Sequence, residues 1–297
     1  MKAAEFELHE PTSISEAVSL LDQLDEPTIL AGGQSLVPLL RFRLSEPDSV
    51  IDINRIDDLD YLREDDDYLR LGALVRHADV EESDLIDRKY GSFADTAPQV
   101  ADPLVRNRGT VAGSVAHADP AGDWGSVLIA HEGDVVVQGP DGERAIPADG
   151  FFLLPYDTTL EENELVTEVR VPAAVEREGS SYQKLKRKVG DFAAVGVAAR
   201  LVLDGDGTIE NAGLGLTAVD ITNVRASEAE EILEGEKPSP HLFKRAGKKA
   251  TEECNPESDE HGSEEFKRNM VRNLTQRALV DAAERTGVVS VKRKQTA

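Results

Sequence analysis

The chain has almost no cysteine: Cys254 is the only one among 297 residues. A single cysteine excludes a disulfide within the chain. It also excludes zinc and iron–sulfur sites that are built from several thiolates of one chain. Proteins that carry their own cysteine-ligated cluster are therefore ruled out as a class.

Apolar runs long enough to cross a membrane are also missing. The first residues, MKAAEF, lack the apolar core of a signal peptide. Apolar residues still make up 40% of the chain, which is typical of a globular protein. We expect a cytoplasmic protein without a membrane span, and 297 residues suffice for two domains with cores of their own.

Basic residues are few: 33 Lys and Arg stand against 57 Asp and Glu, and the formal net charge is −24. A surface this acidic repels nucleic acid and anionic membranes, so we expect no nucleic-acid partner. Short acidic clusters, such as 64–67 and 257–265, add to an acidity that is spread along the chain. Dispersed acidity of this degree is typical of a high-salt cytoplasm, and we hypothesise a halophilic source.

Common nucleotide-binding and catalytic fingerprints are absent. No G-x-G-x-x-G opens a helix and no Walker lysine follows a glycine turn, which disfavours a Rossmann site and a P-loop. No serine lies in the strand–turn–helix elbow of a hydrolase. His77 and His117 have no histidine or cysteine at metal-ligand spacing. We therefore predict no catalytic side chain and no metal site.

Two glycine turns of similar composition are the main positive signal. Residues 31–35 read AGGQS after the strand-like run 28–30, and residues 110–114 read TVAGS. Glycine lets the backbone approach a ligand closely, and successive N–H groups in such a turn suit anionic oxygens. The pair therefore predicts that both turns bind the same pyrophosphate group. Two ordinary turns are the alternative, because turn glycines are common.

Charged residues supply further candidates. Asp119 and Asp123 follow the second turn at a spacing that could bring both near a bound nucleotide. Asp-Pro also starts helices, which favours a capping role for Asp119. Residues 184–188, KLKRK, form a dense basic cluster that suits a phosphate or an acidic partner. An outward-facing strand surface is the alternative for this cluster.

The periodicity of apolar residues predicts mixed helix and sheet. To about residue 58 the order is strand–helix–strand–helix–strand, with a capping box at 13–16. A second lobe extends to a linker at 172–180, and behind it we expect three antiparallel strands with helices on one face. The predicted strands are 6–8, 28–30, 50–53, 68–71, 134–138, 165–171, 182–188, 195–203 and 214–219. The predicted helices are 14–24, 36–44, 92–100, one that follows Trp124 and ends at 130, 224–233, 241–252 and 264–285.

Five segments of the chain carry a resemblance to a known family. In chain order they read AGGQSLVPLLRFRL, SVIDINRI, VRNRGTVAGSVAHADPAGDW, ELVTEV and KRKVGDFAAVGVAA. They resemble the FAD-binding medium subunit of the molybdenum hydroxylases, and are similar to the carbon monoxide dehydrogenase medium chain and the flavin domain of xanthine dehydrogenase.

The resemblance implies an α+β fold of two domains. The first is a two-lobed FAD-binding domain (PCMH-type) at 1–176, with lobes at about 1–58 and 59–176. The second is a C-terminal α+β domain at 177–288, with a three-stranded antiparallel sheet and helices. Residues 289–297 are expected to form a flexible tail.

The resemblance also implies which residues hold FAD. Both glycine turns are expected on its pyrophosphate, in agreement with the argument from their backbone. Asp123 matches a carboxylate that hydrogen-bonds the cofactor, and Phe192 matches an aromatic ring beside the isoalloxazine. Ala112 departs from the glycine that is commonest in the second motif, and its methyl group fits where φ is negative. The expected cofactor-binding residues are Ala31, Gly32, Gly33, Gln34, Ser35, Leu36, Thr110, Val111, Ala112, Gly113, Ser114, Asp119, Asp123, Val166 and Phe192.

The function implied by the resemblance is electron transfer through FAD. A large partner subunit would carry the molybdenum cofactor, and a small one would carry two [2Fe–2S] clusters that pass electrons to FAD. An external acceptor such as a quinone or NAD would then take them, within a heterotrimer or a dimer of heterotrimers. The substrate, whether carbon monoxide, an aldehyde or an N-heterocycle, is chosen in the molybdenum subunit. The alternatives are a flavin-poor scaffold subunit and a stand-alone FAD oxidoreductase of the same fold.

Overall fold

The computed structural model describes residues 2–288 and divides them into two compact units. Unit 1 contains 2–80, 102–119 and 133–173, and unit 2 contains 81–101, 120–132 and 174–288. Two segments of the first predicted domain, 81–101 and 120–132, thus belong to the unit that holds the C-terminal half. The domain boundary expected near residue 176 stays a prediction, and the tail expected at 289–297 lies outside the described residues.

The described residues form strands and helices in a regular succession. The strands are β1 Glu7–His9, β2 Thr28–Leu30, β3 Ser49–Asp52, β4 Leu62–Glu64, β5 Tyr68–Gly72, β6 Asp134–Gly139, β7 Gly142–Pro147, β8 Phe152–Leu154, β9 Asp157–Thr158, β10 Leu165–Pro172, β11 Glu178–Leu185, β12 Val195–Leu203, β13 Ile209–Thr217 and β14 Val224–Arg225. The α-helices are α1 Ile14–Gln23, α2 Leu36–Phe42, α3 His77–Glu81, α4 Asp84–Lys89, α5 Gly91–Thr96, α6 Pro103–Arg106, α7 Val111–His117, α8 Asp123–Ala130, α9 Ser227–Leu233, α10 Pro240–Ala250 and α11 Glu264–Arg285, with 3₁₀ turns at Asp57–Leu59 and Ala97–Gln99.

The first lobe of unit 1 has the strand–helix–strand–helix–strand order that the sequence predicts. Its three strands are parallel and lie in the order β1-β3-β2. Helix α1 begins at the predicted capping box: the Ser13 hydroxyl accepts from the Glu16 N–H (3.2 Å), and the Glu16 carboxylate accepts from the Thr12 N–H (2.8 Å). Because β2 and β3 are parallel, both of their carboxyl ends, Leu30 and Asp52, meet at one edge.

The second lobe of unit 1 is an antiparallel sheet in the order β4-β5-β10-β6-β7. Strand β10 lies at its centre and is buried over most of its length. Strand β7, GERAIP, lies at an edge and exposes its charged residues, as an edge strand that resists aggregation should. The two lobes confirm the predicted two-lobed α+β architecture of the N-terminal part.

Unit 2 is built on an antiparallel sheet in the order β11-β12-β13-β14. Every residue of β12 is buried because helices cover both faces of the sheet. On one face the side chains of β12 and β13 join α9, α10 and α11 in a single apolar core. On the other face α8 packs so closely that a Cβ added at Gly213 or Gly215 would overlap the carbonyl oxygens of Ala130 and Ser126.

The three predicted strands of this sheet are confirmed, and a fourth joins them. Strand β14 has two residues, too few to show a period of two, and the sequence pattern assigned Val224 and Arg225 to a helix that in fact begins at Ser227. The second helical face was also missed, because α8 comes from a distant part of the chain. The predicted helix at 92–100 ends earlier, at Thr96, and continues as a 3₁₀ turn over Ala97–Gln99.

His131 is buried in unit 2 and gives a prediction for acid stability. Its Nε2 lies 2.8 Å from the Ser92 hydroxyl, and burial lowers the pKa of the ring well below its usual value. The unfolded chain takes up a proton near the usual pKa of about 6.5, whereas the folded chain does not. The free energy of unfolding should therefore fall by about 1–1.5 kcal/mol between pH 7.5 and 5.5 through this residue alone. Urea denaturation of wild type and His131→Gln at both pH values measures this fall in the free energy of unfolding. If the free energy falls equally in both proteins, His131 is not its cause.

Candidate cofactor site

The first glycine turn connects β2 to α2 in unit 1. Gly33 has a φ of 73°, in the left-handed region that favours glycine. Within the described residues, the backbone N–H groups of Gly32, Gly33, Gln34 and Ser35 donate to no other group. Unpaired donors in succession are what a nest for anionic oxygens requires, and the binding of a pyrophosphate by this turn stays a prediction.

The structure brings the two glycine turns together. A Cβ added at Gly32 would overlap the carbonyl oxygen of Arg108 and lie 2.6 Å from the Cα of Gly109, directly before the second turn. Only glycine therefore allows the first turn to pack on the backbone at 108–109.

A relay of hydrogen bonds through Arg76 and Asn54 fixes this arrangement. The Arg76 guanidinium donates to the Arg108 carbonyl oxygen (2.6 Å) and to the Asn54 Oδ1 (2.6 Å). The Asn54 amide in turn donates to the Ala31 carbonyl oxygen (2.8 Å), at the start of the first turn. Burial and the neighbouring charge of Arg108 lower the pKa of Arg76, because both disfavour its positive charge.

More of the backbone N–H groups of the second turn already donate hydrogen bonds within the protein. Thr110 caps α7: its hydroxyl accepts from the Gly113 N–H (3.0 Å), and its carbonyl accepts from the Ser114 N–H (3.0 Å). The Val111 N–H is bonded to the Val75 carbonyl (3.1 Å). Ala112 lies in the first turn of α7 and is not among the residues with positive φ, so its methyl group is accommodated without strain. Most free backbone donors are therefore in the first turn.

A cavity of about 440 Å³ opens beside the first turn. Of the residues expected at the first turn, Ala31, Gly32, Gly33 and Gln34 line this cavity. Ser35 and Leu36, the next two residues in the chain, are not among its lining residues. Sequence reasoning missed the remaining lining residues, which are Leu30, Val37, Pro38, Arg41, Phe42, Asp52, Asn54 and Arg108. One available signal was positional: the DIN segment at 52–54 follows a strand parallel to β2, and ligands of parallel sheets bind at the carboxyl ends of the strands.

Two more of the expected residues belong to unit 1. Asp119 follows Ala118, which has a φ of 51°, and the Tyr156 hydroxyl lies 3.5 Å from its Oδ2. Asp119 does not cap a helix, because Gly122 occupies the N-cap of α8. Val166 is buried in β10, next to an irregularity in its pairing with β6.

Asp123 lies in unit 2 at the first position of α8 and is buried. It accepts from the Tyr182 hydroxyl (2.6 Å) and from the Lys184 ammonium (2.8 Å). Burial raises the pKa of Asp123, and the charge of Lys184 opposes that shift. The basic cluster at 184–188 is therefore not uniformly a surface feature, since only 1% of the Lys184 side chain is exposed.

Phe192 lies in unit 2 on the loop between β11 and β12, with 58% of its surface exposed. The same loop exposes Val189 and turns at Gly190, whose φ is 82°. Of these two exposed side chains, the Phe192 ring offers the aromatic face that a ligand ring could contact.

The two histidines considered as isolated imidazoles have separate surroundings. His77 is buried, its ring lies against Gly109, and burial lowers its pKa to about 4. The His117 ring packs on Tyr156 with centroids 5.1 Å apart. Between residues 2 and 288, no three or more His, Cys, Asp or Glu side chains are grouped as a metal site would require. None of the helices described there combines the length and apolar character of a membrane crossing.

Comparison with protein families matches both parts of the chain. Residues 4–174 match the FAD binding domain in molybdopterin dehydrogenase, and residues 180–282 match the CO dehydrogenase flavoprotein C-terminal domain. These two matches define a flavoprotein component of a molybdopterin-dependent dehydrogenase.

Individual relatives agree with this class over nearly their whole length. The chain is 40% identical to the carbon monoxide dehydrogenase medium chain of Hydrogenophaga pseudoflava, covering 92% of this chain and 96% of the relative. It is 35% identical to the nicotine 6-hydroxylase medium subunit of Paenarthrobacter nicotinovorans, covering 96% and 100%. The solved carbon monoxide dehydrogenase from Hydrogenophaga pseudoflava superimposes with a TM-score of 0.92 at 40% identity, covering 96% of this chain and 99% of that one. The chain belongs to the family of FAD-binding medium subunits of the molybdenum hydroxylases.

Proposed function

We propose that the chain transfers electrons through FAD, from iron–sulfur clusters of a partner subunit to an external acceptor. The proposal rests on the first glycine turn, with its unpaired N–H groups, which the Arg76 relay joins to the Arg108 carbonyl, two residues before the second turn. This donor set suits a diphosphate, and FAD contains one. When bound, FAD supplies the redox chemistry.

The side chains of this subunit hold and orient the cofactor. The first turn, Ala31–Ser35 with Leu36, and the second, Thr110–Ser114, are proposed to hold the pyrophosphate. Asp119, Asp123 and Val166 are proposed as further contacts, and Phe192 as the aromatic ring that stacks on the isoalloxazine. No side chain of this subunit is assigned to breaking a substrate bond.

The substrate and the clusters are proposed to belong to partners. Membership of the family implies a small subunit with the clusters and a large one with the molybdenum cofactor. The single cysteine of this chain agrees with this, because it cannot ligate a [2Fe–2S] cluster. The relatives are named for carbon monoxide dehydrogenase, nicotine 6-hydroxylase and glyceraldehyde dehydrogenase, so medium chains of this family accompany different activities. We propose a heterotrimer or a dimer of heterotrimers that delivers electrons to a quinone or NAD.

Purification with and without the partners tests the proposal. The complex should contain molybdenum and iron together with flavin, and its flavin absorbance should fall on anaerobic addition of a substrate. The isolated chain should contain neither metal, and its flavin should not respond to that substrate. A complex that turns over without any flavin would support a scaffold role. An isolated chain whose flavin is reduced directly by the substrate would support a stand-alone oxidoreductase.

Replacing Phe192 by alanine should weaken flavin stacking without removing the cofactor. An aromatic pair is worth about 0.5–1.5 kcal/mol beyond area burial, so the Kd for FAD should rise about 2- to 15-fold. Quenching of flavin fluorescence on binding measures the Kd. Val189→Ala, an exposed apolar truncation on the same loop, is the matched control. Equal Kd values for Phe192→Ala and wild type would count against stacking.

The cytoplasmic location and the halophilic character stay predictions. Carboxylates at this density repel one another unless salt screens them, so the midpoint of thermal unfolding should rise between 0.1 M and 2 M KCl. An unchanged midpoint would contradict adaptation to high salt. Cell fractionation of the source organism tests the location.

A further inference from the structure

The outer side of helix α10 carries positive charge in a chain that is otherwise strongly acidic. Residues 240–250, PHLFKRAGKKA, contain no acidic residue, although acidic residues outnumber basic ones by 57 to 33 in the whole chain. The inner side of the helix packs into the apolar core of unit 2. The opposite side exposes His241, Lys244, Arg245 and Lys248, which stand at the i, i+3, i+4 and i+7 positions of one helix face.

Helix α11 extends this positive surface beside α10. The two helices lie so close at Gly247 that an added Cβ would stand 2.6 Å from the Arg272 carbonyl oxygen and 3.2 Å from the Gln276 Cγ. The Arg272 side chain is exposed, and residues 266–280 of α11 also contain no acidic residue. The basic face of unit 2 consists of Lys244, Arg245, Lys248 and Arg272.

The four cations of the basic face are not paired with carboxylates of their own chain. Among residues 2–288, no Asp or Glu oxygen lies within ion-pair distance of their charged nitrogens. Other cations of the same two helices are paired: Lys249 with Glu228, and Lys267 with Asp259 (2.6 Å). Carboxylates of this unit therefore reach both helices but leave the basic face open.

The grouping of these cations does not stabilise the isolated subunit. Lys244 and Lys248 stand at i and i+4, a spacing at which like charges destabilise a helix. The helix dipole favours Lys248 in the last turn of α10 but gives no such benefit to Lys244 in the middle. A bound partner that neutralises the charges would remove this repulsion, so the basic face suits an anionic partner.

An acidic protein surface fits the basic face better than a membrane or a nucleic acid does. Exposed carboxylates flank the face in sequence, at 228–236 before α10 and at 252–265 between α10 and α11. A flat bilayer or a long polyanion would extend to these carboxylates and be repelled, whereas a protein can present a compact acidic cluster. Helix α10, all of which the structure describes, exposes no large apolar side chain that could enter a bilayer.

We propose that the basic face docks an acidic surface of a partner subunit in the assembled complex. Its ammonium and guanidinium groups pair with carboxylates of that subunit. The close packing of α11 on α10 at Gly247 holds the cations in position before docking, which reduces the entropy lost on binding. The inference rests on the proposed assembly with partner subunits, and it does not involve the flavin.

Neutralising the basic face tests the proposal in the assembled complex. The variant Lys244→Gln/Arg245→Gln/Lys248→Gln should dissociate from the partner subunits with a Kd about tenfold higher than wild type, because several ion pairs between chains are lost together. The difference should shrink as KCl is raised, since salt screens exposed charges. Fluorescence-detected sedimentation of the serially diluted complex, labelled on this chain, measures the Kd.

A second triple variant controls for the change in net charge. Arg63→Gln/Arg88→Gln/Lys188→Gln removes the same charge from exposed positions outside α10 and α11. This control should leave the Kd within about twofold of wild type. Circular dichroism shows whether both variants are folded.

Carbodiimide cross-linking of the complex identifies what covers the basic face. The reagent joins a lysine amine to a carboxylate with which it is in contact. Mass spectrometry should therefore find Lys244 or Lys248 linked to an Asp or Glu of a partner subunit. Reversing that carboxylate to lysine in the partner should restore the association that Lys244→Glu weakens.

The outcomes separate this proposal from the electron-transfer proposal. Equal Kd values for the folded neutralised variant and wild type overturn the docking assignment. It is also overturned if Lys244 and Lys248 link only to a second copy of this chain, or if neutralisation weakens binding to phosphatidylglycerol vesicles and leaves assembly unchanged. Each of these results leaves electron transfer through FAD standing. A complex that assembles through the basic face but contains no flavin overturns the electron-transfer proposal alone.

Discussion

Replacing Gly32 by alanine is expected to abolish retention of FAD. The new methyl group would overlap the Arg108 carbonyl oxygen and stand 2.6 Å from the Cα of Gly109. Both are backbone atoms that cannot rotate away, so the first turn must separate from the segment before the second. The turns would then no longer face one ligand, and the Kd for FAD should rise by at least about 100-fold.

Fluorescence titration with FAD measures the loss, and circular dichroism shows whether the variant is folded. Gly205→Ala is the matched control, because an added Cβ there meets only the end of the Arg177 side chain at 3.6 Å. The control should bind FAD like wild type. Full flavin content in purified Gly32→Ala would contradict the requirement for close packing of the turns.

Replacing Lys184 by methionine is expected to destabilise unit 2 strongly. Methionine keeps much of the apolar stem but leaves Asp123 as an uncompensated charge in a buried position. Removing one partner of a buried ion pair costs about 3–5 kcal/mol. Trp124, the only tryptophan in the chain, is adjacent to Asp123 and buried, so its fluorescence reports the unfolding of this region in urea.

Two variants show whether the lost charge compensation is the cause. Asp123→Asn combined with Lys184→Met should recover most of the stability, because no charge remains buried. Lys188→Met, which changes an exposed lysine of the same cluster, should change the free energy of unfolding by less than about 0.5 kcal/mol.

The stability of Lys184→Met should also depend on pH. Burial raises the pKa of Asp123, so the loss of unfolding free energy in Lys184→Met should shrink as the pH is lowered and the carboxyl group becomes neutral. A deficit that stays constant with pH and in the double variant would contradict this explanation.

Local composition was sufficient to predict the glycine turns and most strands. The AGGQS turn lies directly after a β-branched run, and its backbone donors are free, as a nest argument from five residues anticipates. Helix α11 begins and ends where its periodicity predicts, at Glu264 and Arg285. These features are determined by residues that are close together in the sequence, so one sequence is enough to predict them.

Contacts between distant parts of the chain could not be predicted in this way. Arg76 gave no signal in sequence, because its role depends on Asn54 and Arg108, which are 22 and 32 residues away. Lys184 belongs to a basic run that suggested a surface or a ligand, yet it pairs with Asp123, 61 residues earlier. Asp52 was the exception that could have been found, since the end of a strand parallel to β2 is a standard ligand position.

The flavin content of the assembled complex decides whether this chain serves as an FAD-binding subunit. The complex is purified in high salt, desalted to remove free cofactor, and its absorbance spectrum is compared with its protein content. Flavin bands should survive desalting, at about one FAD per copy of this chain. A folded and assembled complex that contains the chain without flavin, and that does not take up added FAD, would contradict it.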